Sequence, residues 1–185
     1  SIPIAGLYNI YNALAAYSAA KFFGLSTEEI QEGFSKAQRV FGRQETFDVE
    51  DKEVMLNLIK NPVGFNQIVQ LLSYEKESFS LGVLLNDNPA DGQDVSWIWD
   101  GDFEGLHALN SVDTAISGIR VEDLSVRMEV AGFENMKVFK TNAELIDWIR
   151  KAPTKKVNVL ATYTALLDLR KDFAKEGYLK EGMNG

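Results

Sequence analysis

Apolar positions in the first part of the chain follow the three- and four-residue spacing of helices. This spacing predicts a helix over 9–23, with Gly24 as its stop. A second helix is predicted to begin at Ser26 or Thr27, with Glu29 in its first turn. Two short helices bury too little apolar surface to form a domain, so we expect their apolar faces to pack on a segment upstream of this chain.

From residue 41 onward, short apolar runs alternate with amphipathic segments of about ten residues. Strands are predicted over 44–49, 54–59, 79–85, 114–117, 137–139 and 157–161, and helices over 62–74, 121–131, 143–151 and 163–175. This alternation is typical of right-handed βαβ units, with a mostly parallel sheet and helices on both of its faces. We therefore expect a helical segment over 1–40, followed by an α/β domain over 41–185.

Composition and charge exclude several classes of protein. The formal net charge is −8, which argues against a nucleic-acid partner because such proteins need a basic surface. No apolar run approaches the roughly 20 residues of a transmembrane helix, and the first residues do not resemble a signal peptide. Cysteine is absent, so the chain has neither a thiolate metal site nor a cysteine nucleophile. The one histidine, His107, has no G-x-S-x-G motif to complete a serine triad and is expected to be solvated.

The segment 60–66, KNPVGFN, follows a predicted strand and begins a predicted helix. Lys60 and Asn61 thus lie where free backbone N–H groups and the helix dipole favour an anion. The alternative is an ordinary Asn-Pro helix start, because the glycine spacing matches neither the P-loop nor the dinucleotide fingerprint.

The segment 86–104 carries six carboxylates in nineteen residues and two of the three tryptophans. No lysine or arginine occurs between Lys76 and Arg120, so the charge has no local compensation. A calcium loop fails because Pro89 and Ile98 fall where coordination needs oxygen. The remaining alternatives are a solvated acidic loop and a partner or ligand surface, which the tryptophans favour.

Several motifs resemble the Mur ligase family. The segment 6–16, GLYNIYNALAA, is similar to the G-x-x-N-x-x-N-x-x-A-A signature that ends the central ATPase domain of these enzymes. The segment 42–45, GRQE, is similar to the G-R-x-E that opens their Rossmann-like C-terminal domain. The segments 60–66 and 91–104, together with SGIR at 117–120 and YTA at 163–165, resemble the MurT subfamily. The resemblance spans essentially the whole chain.

This resemblance implies an activity, a partner and cofactors. MurT-type ligases amidate the D-glutamate α-carboxylate of the lipid II stem peptide in the cytoplasm, at the inner face of the membrane. They use ATP, magnesium and ammonia that a GatD-type glutaminase releases from glutamine. The resemblance implies that Asp94 completes the glutaminase triad across the interface, with Asp91 and Asp100 as alternatives. Trp97, Trp99 and Asp100 would contact the partner, and no metal ligand is expected in this chain.

For the nucleotide, the resemblance implies that Asn9 and Asn12 lie near the adenine and that Arg43 lies at the domain hinge. Lys60 and Asn61 would belong to the region that closes over the active site. Capping and interhelical hydrogen bonds are the alternative for Asn9 and Asn12. The chain lacks the family's phosphate-binding G-x-x-G-K-T, so we expect it to be part of a longer enzyme and inactive as a ligase by itself.

Two other functions remain open from the sequence. The first is another Mur-type ligase, acting on a peptide or on folate-glutamate, whose C-terminal domain would not need the acidic tryptophan loop. The second is a non-catalytic interaction module built on a Rossmann-like fold.

Overall fold

The structure is a computed structural model that describes residues 7–36 and 43–179. The chain divides into two compact units, Ser1–Val40 and Phe41–Gly185. The glycines at the start of the two Mur-type motifs, Gly6 and Gly42, lie outside the described residues, as does the side chain of Arg43.

The described part of the first unit consists of two helices, α1 (Leu7–Phe22) and α2 (Thr27–Ser35). A capping box begins α2. The Ser26 hydroxyl accepts a hydrogen bond from the Glu29 backbone N–H, while the Glu29 carboxylate accepts one from the Ser26 backbone N–H. Gly24 has a φ of +85° at the turn between the helices, which glycine adopts without a steric penalty. Both helices occur where the apolar spacing predicts them.

The described part of the second unit is a six-stranded sheet with five helices. Its elements are β1 (Arg43–Val49), β2 (Lys52–Leu58), α3 (Pro62–Leu72), β3 (Phe79–Leu84), α4 (Phe103–His107), β4 (Ser111–Ser117), α5 (Val121–Val130), β5 (Lys137–Val138), α6 (Asn142–Arg150), β6 (Lys156–Ala161) and α7 (Tyr163–Lys175). The strand order is β1-β2-β6-β3-β4-β5. The pair β1 and β2 is an antiparallel hairpin, and all other neighbours are parallel.

Two apolar cores cover the two faces of this sheet. On one face, α3 and α5 pack against residues such as Leu81 and Val83 of β3. On the other face, α6 and α7 pack against residues such as Leu56 of β2 and Val159 of β6. The predicted α/β class, with a mostly parallel sheet and helices on both faces, is confirmed. Within the described ranges, no helix is both long enough and apolar enough to span a membrane.

Candidate functional site

The acidic loop follows β3 at the carboxyl edge of the sheet, where open α/β sheets bind their ligands. Its first half is held by Thr164, near the start of α7. The Thr164 hydroxyl accepts hydrogen bonds from the side-chain amides of Asn86 (3.0 Å) and Asn88 (2.8 Å). It donates its own proton to Asp91 Oδ2 at 2.6 Å. Residues 86–91 are therefore fixed to the neighbouring strand-helix connection.

The connection between β4 and α5 supports the same half of the loop. Gly118 has a φ of +106°, and a Cβ there would lie 2.3 Å from the Leu85 carbonyl oxygen, so only glycine fits. This close approach lets the Arg120 N–H donate to the Leu85 carbonyl (3.0 Å) and the Ile119 N–H donate to Asn86 Oδ1 (2.9 Å). The SGIR segment thus has a structural role beside the loop.

The second half of the loop is ordered rather than irregular. Ser96–Trp99 form one turn of 3₁₀ helix, and α4 follows almost at once. Neither element is predicted from the sequence. Both are held by Arg127 of α5, whose side chain is 3% exposed. Its guanidinium donates to the carbonyl oxygens of Ile98 (2.9 Å) and Gly101 (3.0 Å) and to both carboxylate oxygens of Glu104 (2.8 and 2.7 Å).

Sequence reasoning missed Arg127, although the chain contains a signal for it. Leu124 and Met128 mark the buried stripe of α5, and Arg127 lies between them at helical spacing. A charged residue on a buried stripe needs a partner, because an unpaired buried charge is costly. The compensation for the acidic loop therefore comes from a helix distant in sequence.

Four of the six carboxylates in the loop have structural partners. Asp87 forms an ion pair with Arg120 at 2.7 Å, and Glu104 pairs with Arg127. Asp102 caps α4 by accepting the Gly105 N–H at 2.9 Å. Asp91 is buried and accepts the Thr164 backbone N–H at 2.7 Å near the start of α7. The other two, Asp94 and Asp100, are exposed and form no ion pair within the described residues.

Asp94 is exposed, but its side chain is oriented. Its Oδ1 accepts the backbone N–H of Ser96 at 2.8 Å, at the start of the 3₁₀ turn. The hydroxyl and the backbone N–H of Ser96 hold the pKa of Asp94 below its ordinary value, because they stabilise the charged form. Asp94 is thus an ionised carboxylate with a defined direction. Asp100 makes no side-chain hydrogen bond to a described residue.

The two tryptophans of the loop lie in different environments. Trp97 is partly buried and packs on the core, with its ring centroid 6.2 Å from that of Phe65. Trp99 is 54% exposed, and the Arg127 guanidinium lies 5.5 Å from the centroid of its ring. Of the two, Trp99 presents more of its side chain at the surface.

In the second unit, the residues predicted to approach the nucleotide lie at the start of α3. Lys60 is exposed. Asn61 is the N-cap of α3, and its Oδ1 accepts the Gly64 N–H at 2.8 Å. The sequence reasoning missed Asn57 of β2, which is fully buried with both polar side-chain atoms lacking a hydrogen-bond partner. Such a buried, unsatisfied amide is unusual in a folded protein.

The predicted nucleotide residues of the first unit lie on α1. Asn9 is buried and Asn12 is exposed. Among the described residues, no group of three or more His, Cys, Asp or Glu side chains could hold a metal ion. His107 is exposed and meets the edge of the Phe133 ring, with the ring centroids 5.0 Å apart.

Solved structures with the same fold include folylpolyglutamate synthases and MurF. Folylpolyglutamate synthase from Thermotoga maritima matches with a TM-score of 0.67 and 19% identity, over 97% of this chain and 42% of that one. MurF from Acinetobacter baumannii matches with a TM-score of 0.64 and 22% identity, over 94% of this chain and 39% of that one. Folylpolyglutamate synthase from Mycobacterium tuberculosis, in complex with ADP and AMPPCP, matches with a TM-score of 0.67 and 21% identity, over 95% and 41%. The second unit therefore has the fold of a Mur-type ligase C-terminal domain.

Sequence comparison identifies the family more narrowly. The family described as MurT ligase C-terminal matches residues 58–166. The lipid II isoglutaminyl synthase (glutamine-hydrolyzing) subunit MurT of Streptococcus pneumoniae (strain ATCC BAA-255 / R6) is 43% identical over 185 residues, 99% of this chain and 41% of that protein. The subunit of the same name from Staphylococcus aureus (strain COL) is 37% identical over 152 residues, 80% of this chain and 35% of that protein. The chain belongs to the MurT family, and it spans less than half the length of these relatives.

Proposed function

We propose that this chain is the C-terminal part of a ligase subunit that amidates the D-glutamate α-carboxylate of the lipid II stem peptide. The ammonia comes from glutamine, hydrolysed by a GatD-type glutaminase that docks on the acidic loop. The reaction takes place in the cytoplasm, at the inner face of the membrane. Membership of the MurT family supports this proposal, together with one observation at the site. Asp94 is an exposed, ionised carboxylate whose direction is set by Ser96 alone, and it has no bond to another element.

The proposed role of Asp94 follows from the chemistry of glutamine hydrolysis. An amidotransferase of this kind needs a cysteine nucleophile with a histidine base. This chain has no cysteine, and in the proposed complex the GatD-type partner supplies the nucleophile. A carboxylate on the far nitrogen of that histidine fixes its tautomer and stabilises its protonated form. Asp94 supplies this carboxylate across the interface, while Trp97, Trp99 and Asp100 contribute to the docking surface.

Nucleotide contacts are proposed in each unit, taken by itself. In the second unit, the Lys60 ammonium is exposed and offers a positive charge to phosphate. Asn61 keeps its Oδ1 on the helix cap, which leaves its N–H groups for a ligand. Asn9, Asn12 and Arg43 are the proposed contacts outside this turn. When bound, ATP would activate the substrate carboxylate by phosphoryl transfer, with ADP as the leaving group. No magnesium ligand is assigned among the described residues.

The test is reconstitution of the full-length ligase with its glutaminase. We expect amidated lipid II, detected by mass spectrometry, only when ATP, glutamine and both subunits are present. Addition of an amino acid in place of ammonia would instead identify a peptide or folate-glutamate ligase. A complex that assembles but consumes no ATP would identify a non-catalytic module.

A further inference from the structure

The second half of the acidic loop, residues 96–104, is held by one arginine on another element, Arg127 of α5. A guanidinium has five N–H donors. That of Arg127 donates four hydrogen bonds, to residues 98, 101 and 104. The Cζ atom of the same group lies 5.5 Å from the Trp99 ring centroid and 4.8 Å from that of Phe103. Arg127 thus makes both hydrogen bonds and cation–π contacts to the second half of the loop, whereas the Thr164 side chain makes only hydrogen bonds to the first half.

The two carbonyls that Arg127 binds lie on either side of the exposed residues. Ile98 precedes Trp99 and Asp100, and Gly101 follows them. Holding both carbonyls fixes the backbone between them, and therefore the positions from which the indole ring and the Asp100 carboxylate project. The 3₁₀ turn extends this constraint toward Asp94, because the Ile98 N–H donates to the Val95 carbonyl at 3.1 Å.

We infer that Arg127 is a positioning residue, which presents Trp99 and Asp100 to the glutaminase without touching it. This inference rests on the proposed docking surface. Lysine cannot replace arginine here, because an ammonium is a point charge that cannot bind a carboxylate in bidentate fashion, span two carbonyls and stack on rings. Arg127 is too deeply buried to contact the glutaminase itself, because its side chain is only 3% exposed. Trp99 is 54% exposed and is available for that contact.

The experiment is a double-mutant cycle on the full-length ligase and its glutaminase. The variants are Arg127→Lys, Trp99→Ala and the pair, with dissociation constants measured by calorimetry. We expect Arg127→Lys to weaken binding about tenfold or more, as for the loss of an interface anchor. If Arg127 acts through Trp99, Arg127→Lys should weaken binding little further in a protein that already carries Trp99→Ala. The effects of two residues that act through each other on the binding free energy are not additive. A purely structural role would give additive effects.

Two further variants keep this test decisive. Arg150→Lys is the matched control, because Arg150 also pairs with a carboxylate, that of Glu176, but lies on α6 and has no bond to the loop. It should bind the glutaminase normally. If Arg127→Lys fails to fold, Glu104→Gln replaces it in the cycle, because loss of the Glu104 charge weakens the ion pair between Glu104 and Arg127. Whichever of these two variants folds is called the clamp variant.

The inference would be overturned if the folded clamp variant bound the glutaminase with wild-type affinity. It would also be overturned if the effects of the clamp variant and of Trp99→Ala on the binding free energy were additive. This failure differs from that of the docking proposal. If Trp97→Ala, Trp99→Ala and Asp100→Asn all bind normally, the surface itself is wrong. If Trp99→Ala weakens binding and the clamp variant does not, only the role of Arg127 is wrong.

Discussion

At the scale of single residues, neighbouring carboxylates in one loop have different roles because different donors surround them. Asp91 is buried against a backbone N–H and a hydroxyl at the start of α7. Asp94, three residues later, receives only the local bonds of Ser96 and stays exposed. The sequence left Asp91, Asp94 and Asp100 open as triad candidates. The structure makes Asp91 the least suitable of the three, because its oxygens are already bonded inside the fold.

Asp94→Asn should cripple glutamine hydrolysis while leaving the complex assembled. The change keeps the shape and removes the charge that would orient the partner's histidine. The corresponding change in a serine protease costs roughly 10⁴-fold in turnover, which is an upper guide because cysteine is the more acidic nucleophile. We expect the glutaminase kcat to fall by at least about tenfold. The measurement is steady-state glutaminase kinetics with saturating ligase subunit.

Asp100→Asn is the control for this prediction, because Asp100 is an exposed carboxylate in the same loop that makes no side-chain hydrogen bond to a described residue. Its glutaminase kcat should stay near that of the wild type. Normal turnover with Asp94→Asn would show that the assignment at Asp94 is wrong. Loss of turnover with Asp100→Asn alone would move the triad carboxylate to that position.

Asp91→Asn should reduce stability rather than turnover. Its carboxylate accepts three hydrogen bonds, from the Thr164 N–H and hydroxyl and from the Asn88 N–H. An amide has one acceptor oxygen, so at least one of these donors would face an N–H group. We expect a loss of about 1–3 kcal/mol in the free energy of unfolding, measured by urea denaturation. Unchanged stability would mean that this network contributes little.

At the scale of elements, the sequence predicts structure well where the determinants are local. The helix α7 occurs at its predicted bounds, Tyr163–Lys175, and β3 differs from its prediction by one residue at its end. By contrast, the sequence predicts a loop where the 3₁₀ turn lies, and it predicts no helix at α4. Their order depends on Arg127, 23 residues beyond Glu104, and no local pattern indicates a bond of that range. The prediction of the candidate site has the same limit. Arg127 and Asn57 are notable because they are polar and buried, and burial is known only from the structure.

The two tryptophans of the 3₁₀ turn should respond differently to truncation. Trp97 packs on the core beside Phe65, so Trp97→Ala should lower the free energy of unfolding, by about 3 kcal/mol at most for a partly buried ring. Trp99 is more than half exposed, so Trp99→Ala should leave stability nearly unchanged and weaken glutaminase binding. Thermal unfolding and pull-down on folded variants measure the two effects. Normal binding by both variants would remove the interface role of the tryptophans.

At the scale of the whole molecule, the two units differ in how completely they bury their apolar residues. The second unit encloses two cores, one on each face of its sheet. In the described part of the first unit, Ile30 is the one buried hydrophobic side chain. The helix α1 and the turn after it expose large apolar side chains, including Leu14 at 59% and Phe22 at 86%. The chain matches 41% of the length of its Streptococcus pneumoniae relative.

The isolated chain should bind ATP weakly or not at all. A phosphate chain is held mainly by backbone N–H groups of a glycine-rich loop and by a lysine, and no G-x-x-G-K-T occurs in this sequence. Lys60 and Asn61 alone offer too few donors to replace such a loop. Isothermal titration calorimetry should show no binding at micromolar ATP, whereas the full-length protein should bind. A micromolar or tighter dissociation constant for the isolated chain would contradict this prediction.

Hydrogen exchange should separate the two units of the isolated chain. Amide groups of α1 should exchange at least about tenfold faster than those of β3, because elements with few buried apolar contacts open at low free energy. Every residue of β3 is buried, whereas α1 exposes Leu14 and Phe22. Mass spectrometry of peptides covering 7–22 and 79–84 measures the difference. In the full-length protein, α1 should gain protection while β3 changes little, since only α1 has an apolar surface to cover. Equal protection of α1 and β3 in the isolated chain would show that the first unit is stable without any such cover.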